Sequence, residues 1–384
     1  MAIDYERDLL KHHVRANAWL PLCQNRLRRI RSNDTLRQKR RLRYFTFCAV
    51  GAMDVLMLDV AKVIKPSKAG RFDTVVFFDK TNELVQKTQQ RIPGAIGFPG
   101  DFVKVVLLDD PDDGIVIAGQ DSLLPQTNYD DDHRVRQRQI LVAQHQGFIR
   151  QFPFDVINLD LEEFLFKPSE TLPGRVINAM RRVFEWQGRS FVAPQGGSEQ
   201  YIDGFSLMFT TRIGPENISA EYLNMLRGYV DENLRQDTTL LPLFQERTGG
   251  IDNVATLQQE NFELFFLLAM PKVLSSVLIE TDWYIDPVSG ITIYEFERTT
   301  PNVEPYRMLH LVMDVKRQLP IRNYRPPRAG LAPEVQQAYQ AVVHQIFTRG
   351  EQRVTIENID RARLQAHLDR IIEQRRLYCP DQDQ

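Results

Sequence analysis

Short apolar runs recur along the chain, and the stretches between them have helical spacing. Buried strands are predicted at Tyr44–Val50, Thr74–Phe78 and Phe154–Leu161, with a shorter strand at Ala95–Phe98. Between the first two, residues 54–64 carry apolar side chains three or four positions apart, which is the spacing of a helix. Regular alternation of strand and helix favours a parallel sheet with helices on both faces. The pattern therefore predicts an α/β fold.

The pattern of apolar and polar residues changes after about residue 240. An apolar helix is predicted at Gln259–Met270, ended by Pro271. Residues 282–297 resemble a hairpin that turns at 286–290, and Met308–Val315 is predicted as a further strand. These elements are expected to form an α+β extension of the main sheet.

Four segments follow from this division. Residues 1–40 form a helical, basic N-terminal segment, and residues 41–240 form a Rossmann-like domain with a mostly parallel sheet. Residues 241–325 are the α+β extension, and residues 326–384 are a C-terminal helical tail. The sequence length of 384 residues suits one large domain with such additions.

Polar residues and one glycine stand where the predicted strands end. Gly51 follows the first strand, Asp79 the second and Asp101 the third, while Asn158 and Asp160 lie near the end of the fourth. In an open parallel sheet, ligands bind beyond the carboxyl ends of the strands, where loops diverge and helix N-termini present free N–H groups. We therefore expect these five residues to converge on one nucleotide-sized site.

At these residues the chain resembles class I S-adenosylmethionine-dependent methyltransferases. The resemblance implies that Gly51 lies beside the methionine part of S-adenosylmethionine, that Asp79 accepts hydrogen bonds from the ribose, and that Asp101 meets the adenine. Asn158 and Asp160 would face the methyl group and its acceptor. The stretch Asn158-Leu-Asp-Leu161 is similar to the Asp-Leu-Asp-Pro motif of tRNA guanine dimethyltransferases and to the related motif of three-Cys-motif partner proteins.

Other interpretations of the same residues stay open. Asp79 and Asp101 are also typical of strand-end acids that cap the next helix, and Gly51 is the only glycine of its loop. A non-catalytic subunit of the same fold, which binds nucleic acid or scaffolds a larger complex, is the main alternative to a methyltransferase. A Rossmann-like enzyme that uses another nucleotide is a third hypothesis.

A dense basic run suggests a nucleic acid, RNA or DNA, as the substrate. Nine Lys or Arg residues lie between Arg26 and Arg43 against the single acid Asp34, although the whole chain has a formal charge of −2. The residues proposed to contact phosphates are Arg37, Arg40, Arg41 and Arg43. The alternative is that this run pairs with the acidic stretch 109–132 of the same chain. A second basic cluster surrounds Tyr324 and includes Lys316 and Arg317.

Several classes of protein are disfavoured by what the sequence lacks. No apolar run approaches the roughly 20 residues that a membrane-spanning helix needs, and the three cysteines have no metal-ligand or redox spacing. The expectation is a cytoplasmic protein without a metal site, with a protein partner also open. His310 lies in an apolar strand and is interpreted as a core histidine with satisfied hydrogen bonds.

Overall fold

The computed structural model describes most of the chain. The described residues are 5–32, 41–48, 51–108, 128–161, 165, 174–190, 201–215, 218–296, 306–318, 341–342, 344–348 and 350–378. Within them the chain is an α/β protein with twelve α-helices, one π-helical segment and eight strands. The α/β class predicted from the alternation of strands and helices is confirmed.

The eight strands form one sheet. They are β1 (Tyr44–Thr46), β2 (Val75–Asp79), β3 (Ile96–Pro99), β4 (Val156–Asp160), β5 (Gly204–Ile213), β6 (Trp283–Phe296), β7 (Tyr306–Arg317) and β8 (Gln352–Val354). Their order across the sheet is β3-β2-β1-β4-β5-β7-β6-β8. All neighbouring pairs are parallel except the two that involve β7. The late strands therefore extend the main sheet.

Helices cover both faces of this sheet. They are α1 (Tyr5–Val14), α2 (Leu20–Ser32), α3 (Met53–Val60), α4 (Asn82–Arg91), α5 (Phe102–Val106), α6 (Asn128–Ile149), α7 (Arg175–Gln187), α8 (Ala220–Gln236), α9 (Leu240–Thr248), α10 (Val254–Glu260), α11 (Phe262–Ile279) and α12 (Arg361–Tyr378). Side chains alternate between the faces of a strand. In β1, Phe45 packs into the core beneath α6, α7 and α11, whereas Tyr44 packs into the core beneath α1, α2, α3 and α12.

The N-terminal helices form one continuous rod with a widened turn in the middle. Residues Arg15–Trp19 between α1 and α2 are π-helical, and the N–H of Leu20 donates to the carbonyl of Arg15, five residues earlier. Pro21 follows at once and has no N–H to donate into the helix ladder. A π-turn absorbs such a local interruption and rotates the side chains beside it. Here it brings Trp19 onto the sheet, fully buried.

One predicted helix end and one predicted hairpin were wrong. The helix predicted to stop at Pro271 continues to Ile279, because most of its side chains are buried and their packing outweighs the lost hydrogen bond. The predicted hairpin at 282–297 is a single strand, β6, whose turn-forming residues make an irregularity in the pairing between Ile285 and Gly290.

Helix α11 is also the one described helix whose length and composition would allow it to cross a membrane. Of its most apolar window, 83% is buried inside the protein.

Candidate functional site

A row of polar side chains crosses one face of the sheet at the carboxyl end of its central strands. Asp79 and Asp160 each lie two residues beyond the residue that pairs with Thr46 of β1, and Cys48 lies two residues beyond Thr46 itself. The row continues across β5 and β7, because Asp160 pairs with Thr210 and Thr210 pairs with His310. We call these five residues, Asp79, Cys48, Asp160, Thr210 and His310, the polar row. The structure thus brings Asp79 and Asp160 to one level.

A buried hydrogen-bond network fixes Asn158 beneath this row. The Asp54 carboxylate, on α3, accepts hydrogen bonds from the hydroxyls of Tyr44 at 3.0 Å and Thr46 at 2.8 Å. Each hydroxyl has one hydrogen, so it must accept when Asn158 approaches. Asn158 Nδ2 donates to both hydroxyls, each at 3.2 Å.

In this orientation the amide oxygen of Asn158 has no hydrogen-bond partner among the described residues. This atom, Oδ1, points away from the two hydroxyls and is fully buried. Buried polar atoms without a partner are rare in folded proteins, because desolvation is then uncompensated. The atom is therefore a candidate contact for a ligand or an ordered water.

Asp160 is held by the N-terminal helix. Lys11 Nζ on α1 lies 2.8 Å from Asp160 Oδ2, and the two side chains are 13% and 7% exposed. Burial alone would raise the pKa of Asp160, but the charge and hydrogen bond of Lys11, helped by Arg15 and His310, keep it below its ordinary value. Asp160 Oδ1 has no hydrogen-bond partner among the described residues. One oxygen of the carboxylate is thus engaged and one is available.

His310 links the other end of the row to the N-terminal rod. Trp19 Nε1 donates to His310 Nε2 at 2.9 Å, so the ring proton resides on Nδ1, which lies 2.9 Å from Thr210 Oγ1. Burial lowers the pKa of His310 to about 4, with Asp160 opposing and Lys11 adding to the shift, so the ring is neutral at pH 7. The prediction of a satisfied core histidine is confirmed.

Asp79, which ends β2, and Asp101, which follows β3, are close together but differ in role. The N–H of Gly100 donates to the carbonyl of Asp79 at 2.8 Å, which holds the two strand ends together. Asp101 Oδ1 accepts from the N–H groups of Val103 at 2.9 Å and Lys104 at 3.4 Å, so Asp101 is the N-cap of α5.

Asp79 caps no helix. Helix α4, which follows it, takes its cap from Thr81, whose hydroxyl accepts from the N–H of Leu84. Asp79 is half-buried, and this burial raises its pKa, although the N–H and charge of Lys80 oppose the rise. Of the two acids, Asp79 has the larger share of its hydrogen-bonding capacity left for a ligand.

The loop after β1 turns at an alanine. Residues 49 and 50 lie outside the described residues, and Ala52, rather than Gly51, has the left-handed conformation, with φ at 48°. A Cβ added to Gly51 would lie 3.3 Å from Met53 Cγ, so the methionine side chain packs against the glycine. This loop therefore lacks the open backbone of a glycine-rich loop at Gly51.

Charged groups from three elements act on the Cys48 thiol at the end of β1. Burial raises the pKa of the Cys48 thiol, the charge and hydrogen bond of Asp54 raise it further, Arg15 lowers it and Asp79 adds a smaller upward contribution. Charges from α3, from the end of β2 and from the N-terminal rod therefore all act on the end of β1. Arg15 Nε is buried there with no hydrogen-bond partner among the described residues.

Two of the four arginines predicted to bind nucleic acid are described, and both lie away from the polar row. Arg37 and Arg40 are outside the described residues. Arg41 pairs with Asp73 at 2.6 Å, and Arg43 donates to the carbonyl of Gln151 beside the ring of Phe154. Both precede β1, at the opposite end of the strand from the polar row. The acidic stretch 109–127 also lies outside the described residues, so its pairing with the basic run stays a prediction.

A cavity of about 500 Å³ lies between the N-terminal rod and the edge strands. Its walls include Asn17, Asn25, Gly290, Thr292 and Gln352. Thr292 pairs with His310, so this cavity adjoins the end of the polar row furthest from Asp79.

The basic residues closest to the row were missed by the sequence analysis. Lys11 and Arg15 are far from Asp160 in sequence, and nothing in their local pattern indicates a contact with it. Asp54 carried a usable signal, because a carboxylate in the apolar stretch 54–64 is costly to bury unless hydrogen-bonded.

The sheet and the polar row define the class: an α/β protein whose mostly parallel sheet carries acids at its carboxyl ends. The chain belongs to the PP_RS20740-like family, whose sequence model matches residues 142–373. The matched region includes Asn158, Asp160 and His310, whereas Gly51, Asp79 and Asp101 precede it. Comparison with curated proteins finds no match. Among the described residues, no group of three or more His, Cys, Asp or Glu side chains is arranged to hold a metal ion.

Proposed function

We propose that this chain is an S-adenosylmethionine-dependent methyltransferase that acts on a nucleic acid. The observation that carries the proposal is the polar row, in which Asp79 and Asp160 stand at one level on one face of the sheet. Ligands of open α/β sheets bind outside the carboxyl ends of the strands, where the strand order reverses. Here that reversal lies between β1 and β4, and Asp160 ends β4.

The strand order supports the same class. The order β3-β2-β1-β4-β5 is that of a doubly wound, Rossmann-like sheet. Beyond β5 the sheet continues with β7, which runs antiparallel to it. Fold alone does not carry function, so the side chains at the strand ends must supply the rest of the argument.

The residues present fit S-adenosylmethionine in three respects. Asp79 offers a half-buried carboxylate for ribose hydroxyls. Arg15 brings a cation with an unpartnered, buried Nε, which suits the carboxylate of the methionine part. Asn158 Oδ1 and Asp160 Oδ1 are unpartnered acceptors, which suit the ammonium of that part or the amine of an acceptor.

In the proposed reaction the bound cofactor supplies a methyl group on a sulfonium. Asp160 and Asn158 would accept hydrogen bonds from the acceptor nitrogen and hold it in line with that methyl group. The rigid network from Asp54 through Tyr44 and Thr46 would keep Asn158 in position, since Asn158 Nδ2 is already held by two hydroxyls.

Calorimetry with S-adenosylmethionine and its demethylated product tests the cofactor part. We expect binding at micromolar strength and a loss of about tenfold or more in Asp79→Asn, because hydrogen bonds to a charged group are strong. Asp369→Asn is the matched control, since Asp369 is an exposed carboxylate on α12. No binding at millimolar ligand, or equal binding by Asp79→Asn and the wild type, contradicts the proposal.

A non-catalytic subunit with the same fold is the second candidate, and the Lys11–Asp160 ion pair favours it. A carboxylate neutralised at 2.8 Å by a mostly buried lysine is a poorer acceptor for an incoming amine. Transfer of labelled methyl groups to total RNA and DNA distinguishes the two. Cofactor binding without transfer, in the wild type and in Lys11→Met alike, would support the non-catalytic subunit.

A further inference from the structure

The described residues of the two basic regions, Arg26–Arg31 of the first and Lys316 with Arg317 of the second, lie at the same edge of the sheet, opposite the polar row. This edge, here called the amino edge, is formed by the start of β5 at Gly204 and the end of the antiparallel β7 at Arg317, which lie side by side there. Helix α2 runs onto it: Arg26 donates to the carbonyl of Gly204, and Arg29 pairs with Asp314 at 3.0 Å.

The cations of the amino edge fall into two groups. Arg26, Arg29 and Lys316 are paired with Asp203, Asp314 and Asp286, respectively. Arg28 and Arg31 are exposed, and among the described residues no carboxylate lies within ion-pair distance of either. Exposed cations without a nearby carboxylate can neutralise the phosphates of a nucleic-acid backbone.

An aromatic side chain stands on the other face of the same edge. Tyr201 is 41% exposed, and the guanidinium of Arg317 lies 5.4 Å from the centre of its ring. Arg317 is itself fixed, since it stacks over Trp283 at 5.4 Å and donates to the carbonyl of Gly188 at 3.1 Å. The remaining face of Tyr201 is thus presented on a rigid support, as in proteins that stack bases on aromatic rings.

We propose that the amino edge is a separate binding surface for single-stranded nucleic acid. Arg28 and Arg31 would contact phosphates and Tyr201 would stack on a base. The strand would pass around the edge of the sheet, because α2 and Tyr201 lie on opposite faces. Gly204 is six residues from Thr210 along β5, so this surface lies about 20 Å from the polar row.

This inference deepens the nucleic-acid part of the proposed function and is independent of its cofactor part. A surface that far from the polar row would anchor the nucleic acid without contacting the acceptor atom. It therefore predicts that anchoring and cofactor binding depend on different residues.

Charge reversal tests the phosphate contacts. The probe is a fluorescently labelled single strand of mixed sequence, as RNA and as DNA, measured by anisotropy at several salt concentrations. Arg28→Glu/Arg31→Glu is expected to weaken binding by tenfold or more and to reduce the slope of log affinity against log salt by about 0.7 for each phosphate that is no longer neutralised. The control is Arg363→Glu/Arg370→Glu, two exposed arginines on α12, which should change affinity less than threefold.

Substitution of the tyrosine tests base stacking. Tyr201→Ala is expected to weaken oligonucleotide binding about fivefold or more, whereas Tyr201→Phe keeps the ring and should match the wild type. Inorganic polyphosphate, which has no bases, should bind equally to all three. If Tyr201→Ala weakens polyphosphate as much as the oligonucleotide, the surface recognises polyanions and the proposal is wrong.

Failure of this proposal is distinguishable from failure of the cofactor site. Calorimetry should give wild-type affinity for S-adenosylmethionine in Arg28→Glu/Arg31→Glu, and anisotropy should give wild-type oligonucleotide affinity in Asp79→Asn. Oligonucleotide binding that survives the double charge reversal, or that is absent in the wild type, overturns the amino-edge surface and leaves the cofactor result standing.

Discussion

The two ends of the central strands use charge in opposite ways. At the polar row, the charges of Asp160 and Lys11 are mostly buried and satisfy each other across two elements. At the amino edge, Arg28 and Arg31 are exposed and have no carboxylate within ion-pair distance among the described residues. Buried charges are tied to folding, because removing one partner leaves the other desolvated, whereas exposed charges cost little to change. Arg28 and Arg31 can therefore be altered to test binding without disturbing the fold, whereas Asp160 and Lys11 cannot.

Breaking the buried ion pair of Lys11 and Asp160 should destabilise the protein most. Asp160→Ala should lower the free energy of unfolding by about 3 kcal/mol, since Lys11 would remain buried without its partner. Urea denaturation at pH 7 measures this change. The double variant Lys11→Met/Asp160→Leu should recover most of the loss, because it removes both charges.

The matched control is the exposed pair of Lys87 and Glu83 on α4, whose side chains are 52% and 73% exposed. Glu83→Ala should leave the free energy of unfolding close to that of the wild type, since exposed ion pairs are screened by solvent. Equal losses in Asp160→Ala and Glu83→Ala would show that the Lys11–Asp160 contact does not behave as a buried pair.

Lowering the pH should destabilise the protein through His310 of the polar row. The pKa of His310 is lowered to about 4 by burial, against about 6.5 when unfolded, so the unfolded state binds more protons between these values. Stability is therefore complete above about pH 6.5 and falls as the pH drops toward 4. At pH 5 the loss due to His310 is about 2 kcal/mol relative to pH 7.

Comparison with a variant that cannot titrate isolates this contribution. His310→Gln keeps an acceptor for Trp19 and a donor for Thr210. It should flatten the fall in unfolding free energy between pH 7 and 5, measured by urea denaturation at each pH. Buried His12, whose pKa is lowered to about 3, contributes a similar slope that His310→Gln leaves intact. An unchanged pH profile in His310→Gln would rule out its titration as a cause.

The parts of the fold that were predictable are those with a local signal. Phe154–Leu161 was predicted as a strand and β4 is Val156–Asp160, because apolar side chains recur through a stretch that is too short for a typical helix. The proline and glycine at 286–290 led to the wrong prediction of a hairpin, because these residues also occur where a strand pairs irregularly. The end of a helix was wrongly predicted at Pro271, because tertiary packing there outweighs the low helix propensity of proline.

The candidate site also has parts that a local sequence pattern predicts and parts that it does not. Asp79 and Asp160 were predictable from their positions at strand ends, since parallel topology brings those ends together. The contact between Lys11 and Asp160, and the joining of α2 to the end of β7, link segments that are far apart in sequence. No local pattern encodes such contacts, so only the packed structure reveals that Lys11 meets Asp160 and that Arg29 meets Asp314.

The exposed arginines of the amino edge should contribute least to stability. Arg28→Glu/Arg31→Glu should change the free energy of unfolding by less than about 0.5 kcal/mol, because surface substitutions away from packed or paired groups rarely do more. Arg26→Ala, which lies just before Arg28 on the same helix, should be clearly more destabilising, since its buried guanidinium donates to the carbonyl of Gly204. Urea denaturation of the two variants side by side measures both. A large loss in the double variant would mean that Arg28 and Arg31 stabilise the fold, and the amino edge would then be a structural surface.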